Sequence, residues 1–374
     1  MFLDYLVIGG GIFGSHAAKL LQTRAAVGLV ERESTLLSRA SKQNQTRLHT
    51  GAHYLRAPRT ALIAKKYHDR FLKDHEYAIN KTSKHIYGLA KYGSLTDGKG
   101  FERFCDWLEI EYERIAVSDY FDSSRITDSY MISEYSYDPY LIAQSYQNEI
   151  QNSDIRLFLN SEIIDARKIG RKWSIKIRNI RDENISIEAG SVINATYSNL
   201  NSVSNLFTLP ESQIKHEYSE LLLLHAPTLI DTAITVMDGP YFSITPYGLT
   251  GLHVLSSVVY THHTSTQNFG KKFSCQIVNG VCEVNKFHVC QNCRNKPRSA
   301  QRFMLNQLST YVPNSGPVFN HGQLETIKTT WGIEDYRNER QTSIKKLSSK
   351  PDFYNVLSGK VSSIYEIEEV LDGH

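Results

Sequence analysis

Apolar and polar positions alternate along this chain in blocks that switch between strand and helix periods. An apolar run at Leu6-Val7-Ile8 stops at glycines, and Ala17, Ala18, Leu20 and Leu21 then recur at helical spacing. A second apolar run, Val27–Val30, ends at Glu31. That order predicts a strand, a turn, a helix and a parallel strand, closing near Arg32. A polar, basic stretch from Ser38 to Tyr54 follows, too poor in apolar residues to build a core. Pro58 opens a helix over 61–75 with Leu62, Ile63, Tyr67 and Phe71 on one face. A strand over 86–90 and a short helix over 100–108 come next. Asp138-Pro139 is a cap followed by a first-turn proline, so 140–151 is predicted helical.

The later chain is richer in strands. Strands are predicted over 157–159 and 162–166, and a hairpin pairs 173–178 with 185–188 around the turn 181–184. A buried strand over 191–197 ends in small polar residues. A second β-rich region runs over 206–325, with alternation clearest at 253–260. The tail returns to the first pattern: a strand over 355–357, the turn Ser358-Gly359-Lys360, and an amphipathic helix over 362–371 capped by Ser362 or Ser363. The expected architecture is a Rossmann-type α/β domain assembled from 1–77, 136–205 and 326–374. A β-rich α+β substrate domain, 78–135 and 206–325, is interleaved with it.

Composition narrows this little. The 374 residues suffice for two domains, and 41% apolar with 22% charged is ordinary for a globular protein. A net charge of +3 is too small to argue for nucleic acid or an anionic membrane, and no nucleic-acid partner is expected. The densest apolar patch, 221–224, is flanked by Glu220 and His225, so no membrane span is expected. The N-terminus enters the first strand without a basic or cleavable leader, and a cytoplasmic location is the expectation. The partner class is a small-molecule substrate; oligomeric state is left open.

The first turn carries the chemistry. Gly9, Gly11 and Gly14 stand at G-x-G-x-x-G spacing, with Ile12 and Phe13 between them. The first glycine allows the sharp turn, the second lets a pyrophosphate approach the backbone, and the third lets helix and strand pack closely. The helix start would offer its N–H groups and positive dipole end to phosphate. Glu31 lies about twenty residues beyond, where a carboxylate bonds a ribose hydroxyl, with Arg32 beside it.

This fingerprint, the strand end Ala195-Thr196 and the strand-turn-helix at Ser358-Gly359-Lys360 together resemble the D-amino acid oxidase-like FAD-dependent oxidoreductases. Within the polar segment, Asn44, His49, Gly51 and Tyr54 form an N-x4-H-x-G-x2-Y pattern similar to L-2-hydroxyglutarate dehydrogenases. The resemblance implies a glutathione-reductase-like FAD domain with FAD as cofactor. It implies that Asn44, Gly51, Ala195 and Thr196 lie along the flavin and that Gly359 and Lys360 stabilise its reduced form. The chain departs from the family in two places. Tyr197 stands where relatives carry glycine, so the backbone differs or the ring turns away. The late arginine motif survives only as Arg337-Asn338-Glu339-Arg340-Gln341-Thr342.

The implied reaction is oxidation of a CH–OH or CH–NH bond of a small polar molecule, with hydride passing to flavin N5. His49 and His53 are the expected proton acceptors, and Tyr54 a hydrogen-bond donor to substrate. Some relatives attach flavin covalently through a histidine, and His49 is the alternative candidate for that role. Arg47, Arg56 and Arg340 are expected clamps for an acidic substrate. Tyr241 and Tyr247 are expected in the substrate pocket, and a pocket lined by Tyr241, Phe242 and Tyr247 would favour a sugar or nucleotide-linked sugar. An oxygen-using amine or amino-acid oxidase and a non-catalytic FAD-binding module are the other readings. The late cysteines, Cys275, Cys282, Cys290 and Cys293, are either a structural Zn²⁺ site or reduced thiols.

Overall fold

The strand Phe2–Ile8 lies inside an eight-stranded sheet, paired in parallel with Val27–Val30 on one side and with Asn184–Asn194 on the other. The computed structural model describes residues 1–239, 241–266, 272–278, 295–332 and 341–371. Leu3, Leu6, Val7 and Ile8 are all buried, because a parallel sheet is covered on both faces. Each such side chain contributes about 1.5–3 kcal/mol by leaving water. The helices Ile12–Leu21, Pro58–Asp74, Pro139–Gln151 and Glu366–Leu371 supply side chains to the core on one side. Trp173, Ile175, Ile177 and Phe207 pack with Leu3 and Leu6 in a separate core.

The expected cap at Asp138 is present: its carboxylate accepts from Tyr140 N at 2.9 Å and Leu141 N at 3.0 Å. Three expectations about the elements need correcting. The strands expected over 185–188 and 191–197 are one strand, Asn184–Asn194. Its first half pairs antiparallel with Lys172–Asn179 and its second half in parallel with Asp352–Leu357, while Phe2–Ile8 runs along the opposite edge. Two partners share one edge, so the strand continues through the change of pattern. The strand read over 253–260 ends at Ser257, where Thr261 closes a turn through Thr261 N to Ser257 O (3.0 Å) and Ser257 N to Thr261 Oγ1 (2.9 Å). The tail helix begins as a 3-10 turn, Val361–Tyr365, and becomes α-helical only at Glu366–Leu371. The Ser363 hydroxyl donates to Lys360 O at 2.7 Å, competing locally for the backbone as buried serines do.

The second sheet has nine strands among the described residues. Its long strand Phe319–Trp331 pairs with Ile214–His225 along almost its whole length. The expected domain boundary at 326 therefore falls inside a strand, and 326–331 go with the second sheet. A small third sheet joins Arg47–Leu48, Ile79–Asn80 and Tyr135–Tyr137. It ties the polar segment after the first unit to the remainder of the fold.

Candidate active site

The glycine turn leaves the first strand with Gly9 at φ +101°, a left-handed conformation that glycine adopts at little cost. A Cβ on Gly14 would lie 1.9 Å from Gly9 O, so only glycine lets the helix start so close. The helix N-terminus has no cap of its own; Ser41 reaches in from the polar segment and accepts from Ile12 N at 3.0 Å. Glu31 closes the turn from the second strand, accepting from Gly10 N at 2.6 Å and Glu33 N at 2.8 Å. Burial raises its carboxyl above the usual range, against the pull of those two N–H groups.

Next to this turn a cavity of about 1050 Å³ opens between the two large sheets. Small-molecule sites typically measure roughly 300–1,000 Å³, so this volume suits a dinucleotide-sized ligand with a small molecule beside it. Its lining includes Gly9, Gly11, Ile12, Phe13, Glu31, Arg32, Ala195, Thr196, Gly359 and Lys360. It also includes Asn44, Arg47, His49, His53, Tyr54 and Arg56. More than a hundred residues of sequence separate Arg56 from Ala195 and Thr196 from Gly359, and the fold brings them to one space. The second sheet contributes Val236, Met237, Phe242 and a row of small hydroxyls at Ser219, Ser243, Ser256 and Ser257.

Several expected residues lie elsewhere or are otherwise engaged. Gly51 is outside the lining; its φ is +118° and a Cβ there would meet Ala61 O at 2.9 Å, so it serves the seating of the Pro58 helix. Tyr241 bonds Tyr92 O, and Tyr247 donates to Lys42 O at 2.7 Å; neither lines the cavity. The pocket expected to signal a sugar is thus represented by Phe242 alone of its three members. Asn44 holds its own loop, donating to Ala40 O and Ser41 O and accepting from Thr46 N and Tyr137 Oη. Tyr197 takes φ +53°, and its hydroxyl accepts from Thr329 N at 2.9 Å. A tyrosine thus holds a backbone shape suited to glycine by tethering its ring to the second sheet. Arg340 and the cysteines Cys282, Cys290 and Cys293 lie outside the described residues, whereas Cys275 is half-buried beside Tyr218, Phe273 and Ile327. Among the described residues no group of His, Cys, Asp and Glu is arranged to hold a metal ion. No helix there is long and apolar enough to cross a membrane.

The polar centre of the site is Glu134, which sequence reading missed. It lies in the link between Ile126–Ile132 and Tyr135–Tyr137, with no motif around it, and only 1% of its surface is exposed. Arg47 Nη2 donates to its Oε2 at 2.7 Å and Tyr87 Oη to the same oxygen at 2.9 Å. Thr50 donates to Oε1 through its backbone N (3.0 Å) and hydroxyl (3.1 Å). Arg47 also bonds Tyr87 Oη, and reaches Thr235 Oγ1 at 2.8 Å. Burial alone would raise the Glu134 carboxyl; the Arg47 guanidinium and the His49 ring hold it well below the usual range. His49 Nδ1 stands 3.6 Å from Glu134 Oε1, just beyond hydrogen-bond length. His49 and His53 stack with centroids 5.4 Å apart, Tyr54 meets both edge-on, and Lys360 Nζ sits 4.3 Å over the Tyr54 ring. Burial and then Arg47 lower His49 to about 3 and His53 well below its ordinary value, so both rings are uncharged near neutral pH.

These histidines make the fold acid-sensitive. His85 is lowered to about 3 and His75 and His216 to about 4, in each case mainly by burial. An unfolded histidine gains its proton near pH 6.5, while these folded ones stay neutral. Between pH 6.5 and about 4 the unfolded state therefore binds more protons, and stability falls as pH falls. Each such group costs about a factor of ten in the folding equilibrium per pH unit. Denaturant midpoints measured from pH 7.5 to 4.5 are expected to drop steeply below 6.5; a flat profile down to pH 4.5 would contradict neutral burial.

Comparison with known proteins places this geometry. The profile of the family described as FAD dependent oxidoreductase matches residues 4–354. The chain is 25% identical over 370 residues to the FAD-dependent monooxygenase FPY4 of Fusarium mangiferae, covering 97% of this chain and 88% of that one. Its fold is similar to L-alpha-glycerophosphate oxidase from Mycoplasma pneumoniae, whose structure holds FAD, with TM-score 0.73, 13% identity, and 99% and 93% of the two chains covered. It is also similar to glycine oxidase from Geobacillus kaustophilus, with TM-score 0.71, 12% identity, and 97% and 90% covered.

Proposed function

This chain belongs to the FAD-dependent oxidoreductase family, and from that premise we propose that it oxidises a CH–OH bond of a small polar molecule, with His49 taking the hydroxyl proton. The observation that carries the reading is the pair of uncharged, stacked imidazoles on the cavity wall beside Lys360 and Tyr54. A neutral imidazole has a lone pair free for a proton and a charged one does not; with His49 lowered to about 3, the ring takes the proton only in passing and releases it at once.

The residues present fit FAD. A Cβ on Gly11 would meet only Ser41 Oγ, at 3.3 Å, so the turn leaves its cavity side open. His53 Nδ1 and Gln43 Oε1 are buried without a hydrogen-bond partner in the lining, as polar atoms awaiting a ligand would be. We assign Gly9, Gly11, Ile12 and Phe13 to the pyrophosphate, and Glu31 and Arg32 to the adenosine end. Ala195, Thr196, Gly359 and Lys360 are assigned to the flavin end. When bound, FAD supplies the two-electron acceptor for the hydride that leaves the substrate carbon.

The chain's own residues do the rest. His49 takes the proton as the O–H bond breaks and the carbonyl forms, then passes it to solvent. Val236, Met237 and Phe242 keep that end of the cavity apolar. Lys360 brings a positive charge to the same end, favouring negative charge that develops there. Arg47 spends its guanidinium on Glu134, so Arg56, held by Asp238 Oδ1 at 3.1 Å, is the cation we assign to an acidic substrate. The Asn44–Tyr54 pattern, similar to L-2-hydroxyglutarate dehydrogenases, supports an alcohol over an amine.

The test is anaerobic mixing of the yellow protein with alcohols, 2-hydroxy acids, amines and amino acids. Bleaching by an alcohol is expected, and His49→Asn is expected to slow it by about 10²–10⁴-fold with FAD content unchanged. Bleaching by amines alone would replace the reading with CH–NH oxidation. Bleaching only by a nicotinamide reductant would favour a monooxygenase, the activity named for the Fusarium relative.

A further inference from the structure

Glu134 does not line the cavity, yet Arg47, Thr50 and Tyr87 bond it and the rings of His49 and His85 stand next to it. Its two oxygens are used differently. Oε2 is taken by Arg47 and Tyr87, with His85 Nδ1 at 3.8 Å; His85 in turn bonds Ser83. Oε1 is taken by Thr50, through backbone and hydroxyl, on the side that faces His49. Thr50 is the next residue after His49, so its backbone bond fixes the His49 segment to the carboxylate. The ring nitrogen facing Glu134 is Nδ1, 3.6 Å away and without a nearer acceptor. The geometry points to Glu134 as a positioning residue for His49: its carboxylate holds the ring in the Nδ1–H tautomer, keeps Nε2 for the substrate proton, and balances the positive ring that results. This rests on the reading of His49 as proton acceptor.

The physical argument is one of charge. The groups facing the two histidines are Arg47, Lys360, Tyr54, Tyr87 and Glu134, while His85 faces Glu134 and Arg47. Arg47 and Lys360 both oppose a second positive charge on His49, and Glu134 is the anion that favours it. Without Glu134 a protonated His49 would stand beside a buried guanidinium with no counter-charge. The cost appears only as the proton transfers, so it falls on rate and spares binding. Two of the four donors to Glu134 come from Thr50 rather than from a charged group, so the carboxylate is not held by Arg47 alone.

The experiment follows the anaerobic reduction rate from pH 6 to 10 for wild type, Glu134→Gln, Glu134→Asp and His49→Gln, normalised to bound FAD. Glu134→Gln is expected to lower the limiting rate about 10²–10³-fold with substrate affinity within about threefold. Its rate is expected to climb with pH as the substrate sheds its own proton, while wild type stays nearly flat. Glu134→Asp keeps the charge opposite Arg47 and the fold, but retracts the carboxylate from His49, and is expected to lose at least tenfold with the same rising profile. It decides the matter should Glu134→Gln fail to fold. Equal losses in rate and affinity with no change of pH profile, or lost FAD with an unchanged rate per flavin, would overturn the role. If His49→Gln reduces as fast as wild type, the proton-acceptor reading itself falls; if only the Glu134 variants are normal, this inference falls alone.

Discussion

Gly11→Leu is expected to give folded protein that purifies without yellow colour. The glycine occupies an extended backbone conformation, φ −69° and ψ 174°, that any residue adopts. Its added Cβ would press on nothing but Ser41 Oγ, which needs to yield a few tenths of an ångström. The rest of the leucine would enter the cavity where we place the pyrophosphate. Overpacking of that kind costs typically 1–3 kcal/mol or more, so FAD affinity should fall about 100-fold. Absorbance at 450 nm against protein, with circular dichroism as the check on folding, reads both quantities. Gly14→Ala is the contrast: its Cβ would collide with Gly9 O inside the protein, so the fold suffers before the cofactor does. A yellow Gly11→Leu protein would falsify the placement of the cofactor on this turn.

Arg47→Met is expected to cost about 3–5 kcal/mol of stability, the usual penalty for stranding one member of a buried ion pair. Arg47 and Glu134 have side chains only 1% and 0% exposed, and their N–O distance is 2.7 Å. Removing the cation leaves a carboxylate that cannot reach water and retains only Tyr87 and Thr50. The double variant Arg47→Met/Glu134→Gln should recover much of the loss, because neither charge is then left alone. Urea unfolding of the four proteins, with and without added FAD, completes the cycle. A substrate clamp would behave otherwise: stability would hold, and only affinity for acidic substrates would fall. Additive losses in the double variant would show that the pair is not coupled.

The legible and the illegible parts of this site differ in their physics. The places of Gly9, Gly11, Gly14 and Glu31 at the first turn and strand end were readable because they depend on local geometry at set spacing. Asp138 was readable as a cap because the donors it satisfies lie within the next turn of its own helix. Glu134 carried no such signal. Its partners come from Arg47, Thr50 and Tyr87, which lie far from it in sequence, and nothing nearby marks it. Tyr247 illustrates the opposite error: a tyrosine in a suggestive block turned its hydroxyl to Lys42 O and away from the cavity.

The turn from Gly9 to Gly14, the parallel unit around it and the dinucleotide chemistry they imply belong to the sequence alone, because short-range sterics and hydrogen bonding decide them. Tertiary structure decided which of the polar residues after Ser38 face the cavity and which hold the fold together. Arg47 and His49 are two positions apart, in the same basic stretch. Both line the cavity, but Arg47 stays charged and paired with Glu134, whereas His49 is left neutral. Only the arrival of a buried carboxylate from a distant link separates them, since the charge state of a buried group depends on what packs against it rather than on its neighbours in the chain.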